Sequence, residues 1–331
     1  MKFEPAIEAQ IAIEMSGIPQ VRNIDDLRVF LREQIDEKFT KFGEPGPEVD
    51  RVIDHAVATK GGQILVRTYH PENTTRTALP VHLMLHGGGW VSGSIDELAN
   101  DAAARFRAVH ANCVVAAVEY RLAPEHPFPA ALDDVIASAS WALAQASDMG
   151  ADPTCLTLEG QSAGANLAAA ALLASPALPV AGLILDVPAV DLTAETVTGD
   201  PLIGDDAFKQ MLLHGLDTYT GDRSLATSPL VSPLLADDLS TFPPTLILTA
   251  ELDALANGGQ LFAEKLINAK VTCHHISYPG ALHGSAILTK SWPTARKWRQ
   301  DAIQFIQDIH SRNERRIHAN QQLGLEVTGD I

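Results

Sequence analysis

Cys155-Leu-Thr-Leu-Glu159, Gly160-Gln161-Ser162-Ala163-Gly164 and Ala165-Asn-Leu-Ala-Ala-Ala-Ala-Leu-Leu-Ala174 follow one another without a break, and their order decides the fold. The first block reads as a short half-buried strand. The last is a helix-favouring run that ends before Pro176. Between them stands G-x-S-x-G, the sharp strand-to-helix turn that lifts a serine hydroxyl clear of a sheet. Chance supplies about 0.1 such matches in a chain of this length, so the flanking strand and helix carry more weight than the pentapeptide.

Upstream, the strand Val81-His-Leu-Met-Leu85 runs into His86-Gly87-Gly88-Gly89-Trp90. Glycine runs mark many tight turns. Placed after a strand and before a G-x-S-x-G elbow, this one supplies backbone N–H groups able to face a developing oxyanion. A nucleophile and a loop that stabilises negative charge are the two demanding parts of acyl transfer.

Strands and helices alternate on either side of the elbow. Strands are predicted over 52–58, 63–70, 81–85, 113–119, 155–159, 181–187, 245–250 and 271–278, with helices over 96–110, 129–148, 163–174, 256–269 and 294–312. That alternation implies an α/β fold: a mostly parallel eight-stranded sheet covered by helices on both faces. The first two strands, joined across Lys60-Gly61-Gly62, would form an antiparallel pair at one edge. Residues 1–50 read as an N-terminal helical cap segment, with Asn23 capping a helix that carries Leu27, Phe30, Leu31, Ile35 and Phe39 on one stripe. Residues 51–312 form the catalytic domain. Within it, 189–240 breaks the alternation with a helix near 205–219 and proline-rich turns, and reads as a second cap segment. Residues 313–331 read as a polar, fraying tail.

Composition narrows the function classes. The chain has 331 residues, 46% hydrophobic and 20% charged, enough for one large domain with a cap. Its 24 basic against 41 acidic residues give a formal charge of −17, which argues against nucleic acid and anionic membrane surfaces as partners. Cys113, Cys155 and Cys273 each fall in a predicted buried strand. An odd, scattered set argues against disulfides and for a reducing, cytoplasmic setting. No secretory signal is evident at the N-terminus, and the most apolar stretch, 163–185, is interrupted by Pro176 and Pro179 and is not expected to insert in a membrane.

A serine needs a base, and the base needs a carboxylate that holds its tautomer. On this fold the chain order is serine, acid, histidine. Of the 12 histidines, His274 and His275 lie inside a strand, His310 and His318 in the last helix and tail, and His214 in a cap helix. His283, in Pro279-Gly-Ala-Leu-His283-Gly284, follows the last strand at its carboxyl end, where open α/β sheets place their chemistry. Asp253 follows the strand 245–250 in the same way; Glu251, Asp186 and Asp191 are its rivals. No set of residues has metal-ligand spacing: His274-His275 lacks a helical interval and a carboxylate partner.

Taken together, the two glycine-rich motifs, Glu119-Tyr-Arg-Leu-Ala-Pro-Glu-His-Pro-Phe-Pro-Ala-Ala131 and Phe242-Pro-Pro-Thr-Leu-Ile-Leu-Thr-Ala-Glu-Leu-Asp253 resemble the hormone-sensitive-lipase-like esterases of the α/β-hydrolase superfamily over nearly the whole chain. The resemblance implies Ser162 as nucleophile, Asp253 as orienting acid and His283 as base. It implies oxyanion donors at the N–H groups of Gly88, Gly89 and Ala163, with His86 shaping the loop. Trp90 would line the substrate pocket or be wedged against the cap. The 119–131 stretch would brace the sheet edge near the nucleophile. Members are cofactor-free, typically prefer short- to medium-chain esters and often form homodimers.

The departures concern the surroundings of the triad. Gln161 stands where the group usually carries Asp or Thr, and Glu159 is expected to restore that charge. Ala165 replaces a glycine, Asn257 a second Asp after the acid, where it still suits a helix cap, and Ser285 a common Phe after His283-Gly284. The expected activity is hydrolysis of carboxylic esters through an acyl-enzyme. A non-catalytic small-ligand receptor on the same scaffold, and amidase or acyltransferase chemistry with the same triad, are the alternatives.

Overall fold

A computed structural model describes residues 3–14, 23–72 and 78–322. Eight strands are formed: β1 Arg51–Thr59, β2 Gly62–His70, β3 Leu79–Leu85, β4 Val114–Glu119, β5 Ala151–Gln161, β6 Val180–Asp186, β7 Thr245–Ala250 and β8 Cys273–Tyr278. They make one sheet in the order β1-β2-β4-β3-β5-β6-β7-β8. β2 runs antiparallel to both its neighbours, and every pair from β4 onward is parallel. The expected edge hairpin is there, with Lys60 and Gly61 turning between the paired Thr59 and Gly62.

The helices are α1 Pro5–Glu14, α2 Ile24–Phe42, α3 Leu98–Ala111, α4 Ala130–Ala144, α5 Ala163–Ala174, α6 Asp205–Thr220, α7 Ala256–Asn268 and α8 Pro293–Gln322. Two apolar clusters lie on either side of the sheet. One joins α4, α5, α6 and α7 to Val66, Leu83, Leu156, Leu158 and Leu183; the other joins α1, α3 and α8 to Val115, Ile184, Leu246 and Leu248. Adjacent strand residues such as Leu183 and Ile184 feed opposite clusters, as a pleated sheet buried on both faces requires.

Asn23 caps α2 as expected, its Oδ1 accepting the Asp26 N–H at 2.9 Å. Three details differ from the sequence reading. Cys113 is buried in the turn before β4 and Cys273 is only half-buried at the start of β8, so neither lies inside a buried strand. The final helix continues to Gln322, past the residue at which a polar tail was expected to begin. Asn257 sits inside the first turn of α7 and donates to the Thr196 carbonyl at 3.1 Å; Leu255 takes the capping position.

Candidate active site

β5 delivers Ser162 at its carboxyl end in the sparsely populated backbone conformation φ 53°, ψ −112°. Its neighbours make the turn possible. A Cβ on Gly160 would stand 2.2 Å from the Gly164 carbonyl oxygen, and one on Gly164 would stand 2.4 Å from the His86 oxygen and 2.6 Å from that of Leu85. The two glycines of the motif therefore let α5 fold back over β5 and dock on the end of β3. The Ser162 N–H donates to the Asp186 carbonyl at 2.8 Å, which fixes the elbow to β6.

His283 and Asp253 arrive from the loops after β8 and β7. His283 Nε2 lies 3.1 Å from Ser162 Oγ, and Nδ1 lies 2.6 Å from Asp253 Oδ2. The other carboxylate oxygen accepts the Leu255 N–H at 3.0 Å. Burial disfavours charge on the His283 ring, but 41% of the side chain is open to solvent and the Asp253 carboxylate beside it wins. The imidazole pKa is raised above its ordinary value. Of the rival acids, Glu251 Oε2 accepts the Gly280 N–H at 2.7 Å, and Asp191 accepts from the Thr193 and Thr196 N–H groups.

The loop after β3 stands against the elbow: a Cβ on Gly87 would be 3.6 Å from Ser162 Cβ. The Gly88 carbonyl accepts the Ser92 hydroxyl at 2.9 Å and the N–H groups of Ser92 and Val91 at 3.0 and 3.2 Å. These bonds curl the loop. Among the described residues, no backbone hydrogen bond engages the N–H groups of Gly88, Gly89 or Ala163. His86, its pKa lowered by burial, stacks on Tyr120 with ring centres 4.1 Å apart, and its ring Nδ1 lies 2.7 Å from the Gly87 carbonyl. Trp90 is buried and stacked on Tyr219 of α6 at 4.7 Å.

The 119–131 stretch braces this loop and not a sheet edge, since β4 is interior to the sheet. Tyr120 donates its hydroxyl to the His86 carbonyl at 2.8 Å, and Ala123 donates its N–H to the Trp90 carbonyl at 2.9 Å. Arg121 is held by the buried Asp134 carboxylate at 2.7 Å.

Glu159 does not restore a charge beside the nucleophile. It is buried and closed in its own ion pair, 2.7 Å from Arg107 of α3 and 2.9 Å from His82 of β3. Burial alone would raise its pKa, but Arg107 and His82 outweigh that and hold it well below the carboxylate range. Among the described residues, the Asp186 carboxylate accepts a hydrogen bond from the Trp298 indole N–H alone, at 2.9 Å. Burial, with the Glu159 charge nearby, pushes its carboxyl up to about 7. Arg107, Glu159, Gln161, Asp186 and Trp298 line a cavity of about 110 Å³ beneath the elbow.

Two residues of the N-terminal segment reach the site, and neither is evident from the sequence. Arg28 of α2 donates to the carbonyls of Val91 at 2.7 Å and Ala123 at 2.9 Å, and pairs with Glu125. Gln10 of α1 donates to the His283 carbonyl at 2.9 Å. The only sequence signals are a cation on the α2 surface and one amide among isoleucines. Among the described residues, no group of three or more His, Cys, Asp or Glu side chains is gathered as a metal would need, and no helix is long and apolar enough to cross a membrane.

A sheet of this order with a strained serine elbow, a buried acid and a half-open histidine at its carboxyl edge defines a class, and comparison with known proteins agrees. The sequence profile of the alpha/beta hydrolase fold family matches residues 82–287, and the chain belongs to that family. Within it, the chain falls in the hormone-sensitive-lipase-like group. The carboxylesterase NlhH of Mycobacterium tuberculosis is 37% identical over 252 residues, covering 72% of this chain and 76% of that protein. An arylesterase of Saccharolobus solfataricus is 32% identical over 260 residues, covering 76% and 82%. The structure of a hyperthermophilic esterase from the archaeon Pyrobaculum calidifontis superposes with a TM-score of 0.82 at 29% identity, covering 94% of this chain and 99% of that one.

Proposed function

We propose that the protein is a serine carboxylesterase in which Ser162 is the nucleophile, His283 the base and Asp253 the acid that orients it. The single observation that carries this reading is the continuous relay from Asp253 Oδ2 through the His283 ring to Ser162 Oγ, at 2.6 and 3.1 Å. The relatives named as carboxylesterase and arylesterase support the substrate class. A receptor that only binds its ligand would have no use for an intact relay.

His283 accepts the hydroxyl proton as Ser162 Oγ attacks the ester carbonyl. The negative charge on the tetrahedral intermediate rests on the N–H groups of Gly88, Gly89 and Ala163. The imidazolium, stabilised by Asp253, returns the proton to the leaving alcohol and an acyl-enzyme remains. Water then repeats the sequence, and the carboxylic acid leaves.

Short- to medium-chain esters are the proposed substrates. A series of p-nitrophenyl esters of increasing acyl length, run beside Ser162→Ala, tests both parts. The variant should lose roughly 10⁴- to 10⁶-fold in kcat on every ester. Wild-type turnover by Ser162→Ala would end this assignment, and a rate that keeps rising into insoluble acyl chains would end the chain-length preference. The odd, scattered set of three cysteines, Cys113, Cys155 and Cys273, suits the reducing cytoplasm. The group's habit of pairing extends the proposal to a homodimer, which light scattering on the eluted protein decides.

A further inference from the structure

The support for the base comes from the other end of the chain. Gln10 on α1 is completely buried, and both ends of its amide are engaged. Nε2 donates to the main-chain carbonyl of His283 at 2.9 Å and to Glu14 Oε1 at 3.0 Å, while Oε1 accepts the Ser285 hydroxyl at 2.6 Å. Ser285 Oγ in turn accepts the Leu282 N–H at 2.9 Å. Glu14 continues the chain of contacts to Lys38 Nζ on α2 at 2.6 Å.

Packing alone does not account for an amide here. Gln10 shares the buried side of α1 with Ile7 and Ile13, and an apolar side chain would fill the space without needing partners for three hydrogen-bonding groups. The loop that it grips also needs gripping. Gly280 and Gly284 bracket it with positive φ of 69° and 74°, and glycine, lacking a Cβ, restrains the chain only weakly. Its first half is tied by the Leu252 N–H to the Ala281 carbonyl at 2.8 Å and by the Gly280 N–H to Glu251 at 2.7 Å. Gln10 and Ser285 tie the second half, which carries the imidazole.

We propose that Gln10 is a positioning residue for His283, fixing the carbonyl of the base and, through Ser285, the turn from Leu282 to Ser285. It touches no reacting atom. This rests on the reading of His283 as the base. Its leverage comes from geometry, since a displacement of about 1 Å at a reacting group lowers the rate about 100-fold. The small polar Ser285, in place of the Phe usual in the group, leaves room for the amide to reach the loop.

The test compares Gln10→Met, Gln10→Glu, Ser285→Ala and the Gln10→Met/Ser285→Ala double variant on a soluble p-nitrophenyl ester. Active sites are counted by titration, and kcat, KM and the pH profile are measured for each. Gln10→Met should lose roughly 10- to 100-fold in kcat per titrated site, with KM within about twofold. Its acid limb should move to lower pH, because a loosened His283–Asp253 pair no longer favours the imidazolium. Gln10→Glu keeps the shape and the acceptor and, once ionised, has no donor; at a pH where it is ionised it should behave alike, and it carries the test if Gln10→Met does not fold. The double variant should lose less than the product of the single losses, because the two residues share one bond. Losses confined to KM or to the titrated fraction, with the acid limb unmoved, would reduce Gln10 to packing and overturn the proposal. His283→Ala separates the two claims. If it is inactive while the Gln10 variants are normal, positioning alone fails; if it turns over normally, the base assignment fails first.

Discussion

Asp253 and His283 meet at 2.6 Å, yet their surroundings are opposite: the carboxylate side chain is 1% exposed and the imidazole 41%. Solvent is kept from the carboxylate, so its pull on the Nδ1 proton is undiluted, while the imidazole keeps an open face. Asp253→Asn preserves the shape and can still accept the Leu255 N–H. It presents an amide to Nδ1 and favours the wrong tautomer. A fall in kcat of about 10⁴-fold is expected, with KM little changed. Steady-state rates normalised to titrated active sites decide this; a loss under tenfold would mean that the acid is elsewhere.

The pH profile follows from the same contact. As the proposed base, His283 works only when neutral, and Asp253 raises its pKa above the ordinary imidazole value. Activity is therefore lost as pH falls through that raised value, and the acid limb of kcat/KM should lie above the ~6.5 of a free imidazole. Asp253→Asn should carry the limb back toward it. A wild-type limb at or below 6.5 would contradict the pairing as drawn.

Gly88 and Gly89 both have positive φ, at 116° and 61°, but they differ in space. A Cβ on Gly88 would stand 2.1 Å from the backbone oxygen of Ser92, whereas on Gly89 it would meet nothing within 4 Å. Gly88→Ala must therefore push the curl of the loop open and misaim its N–H groups. A loss of roughly 100-fold or more in kcat/KM is expected, the scale of one missing oxyanion donor. Gly89→Ala carries only the left-handed backbone penalty of about 1–2 kcal/mol and should stay within about tenfold. Assaying the two side by side tests the loop geometry, and equal losses would refute it.

The sheet, its helices and the meeting of Ser162, His283 and Asp253 were legible because each leaves a local or chemical trace. Alternating apolar runs announce strands, and G-x-S-x-G needs its glycines for the close approaches at Gly164 and His86. What escaped depends on which face a side chain takes and on partners distant in sequence. Glu159 lies three residues before Ser162 in the chain, yet its side chain is closed by Arg107 and His82, 52 and 77 residues away. Gln10 meets Ser285 across 275 positions, and no periodicity reports such a pair. The position of Trp90 is set by Tyr219 on α6, whose packing the sequence does not reveal.

Asp186 makes a stability prediction with a definite sign. Its carboxyl is held at about 7 in the fold by burial and by the neighbouring Glu159 charge, against about 3.9 in an unfolded chain. The folded state therefore binds the extra proton between those values, and its stability falls as pH rises from 4 to 7, with the full penalty present above 7. Asp186→Asn removes the titration while keeping an oxygen to accept the Trp298 N–H, now 2.9 Å away. The variant should melt several degrees higher than wild type at pH 8, and the advantage should shrink steadily toward pH 4.5. Thermal unfolding followed across that range measures it directly. An advantage that is constant with pH would place the effect in packing, and a lower melting temperature at pH 8 would mean that the ionised carboxylate is favoured where it lies, through Arg107, whose guanidinium lines the same cavity.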